Sequence, residues 1–385
     1  MKTVYYLGYY DVECNKRNVV LSSINKMSYI IEAMEKNGYC VNVISAAHTL
    51  EHKKSPEECV DIGKNSKLYL FKSLPWGRKI QRVSSYIFTF YQVYKFLINN
   101  LTKNDVLVVY HSLSYMSLVR KAKRKIGFKL ILEAEEIYSD VNNNISDREK
   151  EFKHFKLADS YLFSTELLDA RVNTEKKPFA VNYGTYTIEK DRKCNIFNNN
   201  IQSDTEQTIH VVYAGTFDPR KGGGAAAVAA AEFLPKNYHI HILGFGNETD
   251  TNSIKKLIAD VSKKSDAALT YDGLLSGEEY IKFIQSCDIG LSTQNPNASF
   301  NNTSFPSKIL SYMANGLRVV SIRIPAIEES AVGEDMYFYD EQTPKEIAKA
   351  ILDVNLSDDY DGRKKIAELD KKFCEDIKPL LENTK

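Results

Sequence analysis

Short apolar runs alternate with helix-length amphipathic stretches through the second half of this chain, and that alternation limits its fold more than any other feature. IHVVYAGTF (Ile209 to Phe217), HIHILGFGNE, ALTYDGLLS, DIGLSTQ and LRVVSIRIP read as strands. Between the first four lie an alanine-rich helix after a Gly-rich turn, a helix over about Ser253 to Lys264, and EEYIKFIQSC. Such spacing predicts a parallel α/β unit. The first half opens the same way: Thr3 to Tyr10 is a strand, about Ser22 to Asn37 a helix and YCVNVIS a strand. KLYLFKSLPW, Asp105 to Ser112, Lys129 to Leu132, Ala158 to Phe163 and Phe179 to Asn182 continue the strand series.

At 385 residues the chain exceeds the size at which one core stops growing, so two domains are expected. The polar, Asn-rich KCNIFNNNIQSDTEQ marks a linker. The expected division is 1–190, a linker at 191–207, 208–355, and a terminal segment 356–385 with a helix over about 360–381.

Lys plus Arg of 51 against Asp plus Glu of 50 leaves no global field for nucleic acid, so any anion site must be local. Six scattered cysteines fit a reducing, cytosolic setting and neither a disulfide framework nor a zinc site. The N-terminal apolar run is too short for a signal peptide, and no run of about 18 apolar residues exists to span a bilayer. Only Gly8 follows the first strand where a dinucleotide fingerprint needs three glycines, which argues against a nicotinamide-dependent oxidoreductase. His210, His239 and His241 lie on predicted strands as core or surface residues, and no metal motif stands out. Asp359 and Asp361 sit at a helix start, where acids favour the dipole, and this counts against manganese-dependent chemistry.

The segment Asn301 to Gly316, NNTSFPSKILSYMANG, combines a polar loop, a helix and its stop. Ser304 is the expected N-cap, Pro306 occupies the first turn, Ile309, Leu310 and Met313 form the buried stripe, and Gly316 ends the helix. Because the apolar run LRVVS follows, the helix start is expected at the ligand-binding edge of a parallel sheet, with N–H groups free for an anion.

SFPSKILSYMANGLRVVS resembles the donor-binding segment of the family-4 glycosyltransferases of GT-B fold. The resemblance is good over about 209–340 and covers the first domain only in its general plan. It implies two Rossmann-like α/β domains, an acceptor-binding one and a nucleotide-sugar-binding one, with a C-terminal helix crossing back to the first. It also implies a cytoplasmic, retaining, metal-independent transfer that needs no cofactor, from a nucleoside-diphosphate sugar to a glycan or polyprenyl-phosphate-linked acceptor, in polysaccharide or glycoconjugate synthesis. The donor would be met by Gly215, Thr216, Gly244, Gly246, Gly273, Leu274, Thr303, Ser304, Phe305, Pro306, Ser307, Lys308 and Ser311. Arg220 and Lys221 occupy the turn that meets the donor diphosphate, where departure of the nucleoside diphosphate needs positive charge. Thr303 and Ser311 depart from the pattern, since the family carries glutamates there; a non-catalytic sugar-nucleotide or glycan-binding subunit is the alternative.

On the acceptor side, His111 and Glu135 end neighbouring predicted strands and could hydrogen-bond an acceptor hydroxyl. RKIQRVSSYIFTFYQVYKFLINN carries apolar residues at 83, 86, 87, 90, 91, 94, 97 and 98, a helical stripe expected to face the core. Trp76, Arg78, Lys79 and Arg82 at its head, with the basic run from Arg120 to Lys125, also suit peripheral contact with an anionic membrane.

Overall fold

The computed structural model describes the chain except residues 1, 13–15, 142–144, 193–195, 198–207, 220–222, 297–300, 302 and 383–385, and the side chains of 141 and 145. It divides into two compact units, Met1–Thr185 with Lys371–Lys385, and Tyr186–Asp370.

In chain order the first unit carries β1 (Lys2–Gly8), α1 (Leu21–Lys36), β2 (Tyr39–Ser45), β3 (Glu58–Ile62), β4 (Ser66–Leu70), α2 (Lys79–Asn100), β5 (Val106–Tyr110), α3 (Met116–Ile126), β6 (Lys129–Ala134), α4 (Tyr138–Val141), α5 (Ile145–Phe155), β7 (Ser160–Phe163), α6 (Glu166–Val172) and β8 (Phe179–Val181). Its sheet runs β3-β4-β2-β1-β5-β6-β7-β8. All neighbours are parallel except β3, which lies antiparallel on β4. The central strands are apolar on both faces because helices cover both; the neighbours Leu107 and Val108 on β5, and Leu130 and Ile131 on β6, are all fully buried.

The second unit carries β9 (Ile209–Thr216), α7 (Gly224–Ala230), β10 (Tyr238–Phe245), α8 (Glu248–Val261), β11 (Ala268–Gly273), α9 (Gly277–Gln285), β12 (Ile289–Ser292), α10 (Lys308–Ala314), β13 (Arg318–Ile322), α11 (Pro325–Glu328), β14 (Met336–Tyr339) and α12 (Pro344–Leu352). Its parallel sheet has the order β11-β10-β9-β12-β13-β14, a doubly wound arrangement that reverses between β9 and β12. The last helix, α13 (Gly362–Leu381), starts in this unit and ends in the first. Phe373 stacks on Tyr29 at 5.7 Å, and Asn37 Nδ2 donates to the carbonyl of Cys374 at 2.8 Å.

Four local expectations change. Glu58–Ile62, outside the strand series expected above, is a polar edge strand that buries only Ile62. The helix expected from Ser253 starts at Glu248, since the Asn247 side chain caps it by accepting from Asp250 N at 2.8 Å.

On α2 the fully buried positions are Ser85, Thr89, Val93 and Leu97; of the expected stripe Leu97 is buried and Phe90, Tyr94 and Ile98 pack against the core, whereas Val83, Ile87 and Tyr91 do not. Ser85 can face inward because its hydroxyl meets Ser73 Oγ at 3.3 Å and the Leu74 carbonyl at 3.2 Å. With apolar residues on several sides of the helix, periodicity alone could not select the buried face. Val83, Ile87 and Tyr91 therefore point outward.

The helix expected to be capped by Ser304 begins at Lys308, with Ser307 at the cap position and no side-chain cap bond. Pro306 excludes the helical region for the residue before it, so Phe305 stays outside the helix and is buried instead. Its end is as expected: Gly316 takes φ +91°, Gly316 N donates to Met313 O and Leu317 N to Tyr312 O, the paired bonds of a Schellman stop.

Candidate functional site

A doubly wound sheet binds ligands outside the carboxyl ends of its strands where the order reverses. In the second unit that point lies between β9 and β12, which pair only at Ile289 with Val211 and Gly290 with Val212 before diverging. Divergence strips Ala214 N of a ladder partner, and the buried Tyr312 hydroxyl supplies one: it accepts from Ala214 N at 2.8 Å and donates to Leu291 O at 3.3 Å.

At the ends of these strands the backbone comes close. A Cβ on Gly244 would lie 1.8 Å from the Gly215 carbonyl oxygen, and Gly244 takes φ +147°, so no other residue fits. A Cβ on Gly215 would lie 3.1 Å from Lys308 Nζ, which places the ammonium directly beside the last turn of β9. Lys308 Nζ stands 4.4 Å from the ring centroid of Tyr213, and among the described residues no carboxylate pairs with it. Burial lowers its pKa to about 8. A desolvated ammonium facing an aromatic ring and no acid is poised for an anion.

Tyr213 also ties down the following turn. Its hydroxyl, pushed up to about 12 by burial, donates to Thr216 O at 2.9 Å and accepts from Gly223 N at 3.0 Å. Thr293 Oγ1 donates to Gly223 O at 2.9 Å from the end of β12. Thr216 and Gly223, the residues that flank 217–222 in sequence, are thus anchored. Arg220 and Lys221 lie outside the described residues. A cavity of about 490 Å³ opens at this same edge, lined in part by Phe217, Gly223, Gly224 and Asn295.

Structure thus draws Gly215, Thr216, Gly244 and Lys308 into one group. Thr303 and Phe305 are buried on the approach to α10, while Ser304 and Pro306 are half-buried and Ser307 is exposed. Ser311 Oγ meets the Tyr280 hydroxyl at 3.1 Å. Gly246 follows β10, and Gly273 and the exposed Leu274 close the outer strand β11.

In the first unit the order reverses between β1 and β5, and the ends of β1, β5 and β6 carry a charged cluster. Lys26 projects from the apolar face of α1 and is buried; its ammonium donates to Glu135 Oε2 at 2.7 Å and to Asn182 O at 2.7 Å. Glu133, 1% exposed, accepts from the Tyr6 hydroxyl, and its Oε1 is buried without a hydrogen bond. Burial, and then the charge of Glu135, push the Glu133 carboxyl up, with Lys26 pulling the other way. Glu135 is the partly open member, with 23% of its side chain exposed. His111, also expected here, is 1% exposed with Nε2 at 2.9 Å from Glu151 Oε1, so the strand edge presents Glu135 and not the imidazole.

Sequence reasoning missed Tyr213, Tyr312, Thr293 and Lys26. Only Lys26 left a signal, a cation among Ile24, Met27, Ile30 and Ile31 on the buried face of its helix.

Residues 208–355 match the family model described as glycosyl transferases group 1. No curated protein matches the chain at a significant level. Among solved structures, a sucrose-phosphate synthase from Thermosynechococcus elongatus is 13% identical at a TM-score of 0.64, covering 99% of this chain and 95% of that one. A trehalose-6-phosphate structure from E. coli bound with UDP-2-fluoro glucose is 11% identical at 0.62, covering 99% and 97%. A UDP-forming α,α-trehalose-phosphate synthase from Burkholderia xenovorans, in complex with glucose-6-phosphate, is 9% identical at 0.61, covering 98% of each. At these identities the likeness is one of fold, over essentially the full length of the chain. With a glycosyl transferases group 1 domain over residues 208–355 on that fold, the chain is a glycosyltransferase of GT-B type.

Proposed function

We propose that this glycosyltransferase is of the family-4 kind and moves a sugar from a nucleoside-diphosphate donor held by the second unit to a glycan or polyprenyl-phosphate-linked acceptor held by the first. The observation that carries the donor assignment is Lys308, an ammonium that no carboxylate among the described residues pairs, beside Gly215 and close to Thr216 and Gly223, which Tyr213 and Thr293 anchor. Arg220 and Lys221, between Thr216 and Gly223 in sequence, add the charge that a departing diphosphate needs. The sugar then meets hydroxyls at Thr303 and Ser311 where carboxylates are usual in the resembled family, so its contacts are neutral hydrogen bonds. Retention of configuration and independence from metal or cofactor follow from that same kinship.

On the acceptor side, Glu135 accepts the proton or positions the incoming hydroxyl, with Lys26 fixing its orientation. The lipid-linked reading draws support from α2. Ile80, 81% exposed, Val83, Ile87 and Tyr91 form one outward row beside Arg78, Lys79 and Arg82, apolar residues flanked by cations as a peripheral membrane contact requires. No helix among the described residues is long and apolar enough to cross a membrane.

A thermal-shift screen over uridine, guanosine and adenosine diphosphates and their sugars tests the donor reading: one base series should stabilise the protein, and no stabilisation by any would reject it. Vesicle sedimentation tests the membrane contact. Binding to anionic vesicles should fall as salt approaches several hundred millimolar, where screening shortens to a few Å; equal binding to neutral vesicles, or none, would reject it.

A further inference from the structure

Three histidines far apart in function from the donor edge converge on one face of the second sheet. His239 and His241 are two residues apart on β10 and so point to the same side, and strand register sets His210 of β9 directly opposite His239. One imidazole nitrogen from each lies within 4.8 Å of the others. His210 Nδ1 and His241 Nε2 are 2.9 Å apart. From β11, Asp272 Oδ2 stands 3.2 Å from His241 Nδ1 and accepts from the Thr270 hydroxyl at 2.8 Å, while that hydroxyl is 3.0 Å from His239 Nε2.

This is more than a satisfied polar core. A carboxylate on Nδ1 keeps the His241 proton there and leaves the Nε2 lone pair facing His210, the arrangement that orients a metal-binding imidazole. Phe197 stacks on His210 at 4.1 Å and on His241 at 4.7 Å, and Phe283 lies 5.2 Å from His241, so apolar rings wall the group. His210 and His239 are half-buried, which leaves an entry side.

We propose that His210, His239 and His241 form a binding site for a divalent transition metal ion of the zinc class, with Asp272 as the positioning residue on His241. Tetrahedral zinc at about 2.0–2.1 Å from each nitrogen sets the nitrogens roughly 3.3 Å apart, so modest side-chain rotations close the site, and water completes the coordination. Imidazole nitrogen suits zinc, copper and nickel and not magnesium or calcium. The cluster sits at the amino ends of β9 and β10, whereas Gly215 and Gly244 sit at their carboxyl ends; five residues of strand, about 17 Å, separate His210 from Gly215. The ion therefore pins two strands and has no part in sugar transfer, and the proposal stands whether or not the donor assignment does.

The test uses the full chain, stripped of metal by chelator and titrated with Zn²⁺. Calorimetry should give one ion per chain at micromolar affinity or tighter, and a hundredfold excess over Kd should raise Tm by about 5 to 10 °C. His239→Gln should weaken binding at least tenfold, and Asp272→Asn by about 10- to 100-fold, as for other residues that orient a ligand. No saturable uptake by the parent protein, or equal uptake by His239→Gln, would overturn the site. Should either variant fail to fold, electron paramagnetic resonance of the parent chain with one equivalent of Cu²⁺ decides: nitrogen couplings from imidazoles are expected, and coordination by oxygen or sulfur alone overturns the proposal.

Discussion

Compared at the point where each sheet reverses, the two units handle charge in opposite ways. The first gathers two carboxylates, a tyrosine and a lysine, and neutralises them among themselves: Lys26 takes Glu135, and Glu133 is held toward its protonated form against Tyr6. The second leaves a lysine without an acid among the described residues, facing a tyrosine ring and close-packed glycine backbone. A neutralised cluster with one open carboxylate suits a neutral hydroxyl; an unneutralised ammonium suits a diphosphate. One fold plan thus yields two chemistries, because strand ends differ while strand interiors are alike.

The sharpest way to break this contrast is Glu135→Gln, which removes basicity and charge but little volume. Transfer should fall by about 10²- to 10⁴-fold, the usual contribution of a positioned acid–base group, while donor-induced thermal shift stays. Unchanged turnover would return Glu135 to a structural partner of Lys26.

On the other unit, Lys221→Ala should lower transfer by about 10²- to 10³-fold, the cost of one preorganised charge at a developing anion, with little change in stability. Affinity should drop more for the nucleoside diphosphate than for the monophosphate. Parent-level rates and equal loss for both nucleotides would make Lys221 a solvated turn residue.

Lys308→Met separates function from stability. It should weaken nucleoside-diphosphate binding roughly tenfold, about one charge-assisted hydrogen bond, while Tm holds or rises because a desolvated charge is gone. The pH dependence has a definite sign. Folded Lys308 titrates at about 8 against an ordinary 10.5, so between those values the unfolded chain binds more protons and stability attributable to this group rises with pH. Diphosphate affinity should meanwhile decline above about pH 8. Titrations of Tm and affinity in parent and Lys308→Met measure both, and identical pH profiles would remove Lys308 from the site.

The smallest effect is expected at Glu133. Its folded pKa is raised, so the native chain holds a proton that the unfolded chain releases, and stability falls as pH climbs above the ordinary carboxyl range of about 4.5. Glu133→Gln, which mimics the protonated form, should flatten that slope and leave Tm near pH 5 almost unchanged. The two units would then show opposite slopes; a parent-like slope in Glu133→Gln would mean that this carboxyl ionises without cost.

Much of this was legible in the residues. Apolar runs of strand length such as VLVVY and RVVSI must be buried on both faces, so the parallel sheets follow from local composition. Gly316 announces its helix stop because few residues but glycine accept φ +91°. Lys308 and Gly215 were named from a motif, yet their contact across 93 positions was not readable, since register and helix placement bring them together. The exposed row on α2 was misread as core, because Ser85 found hydroxyl and carbonyl partners inside that no local pattern reveals.

Sequence by itself determined the repeating strand and helix units, the stop at Gly316 and the alanine-rich helix after β9, because these depend on backbone sterics and on periodicities of two and 3.6. Tertiary structure decided which charges are paired and which are not. Strand order set Glu133 beside Tyr6 and left Lys308 facing Tyr213 with no carboxylate partner among the described residues, and strand register turned His210, His239 and His241 from separate strand residues into one cluster. Burial and partnership are properties of neighbours distant along the chain, so the chemistry of each group is settled only when the fold closes.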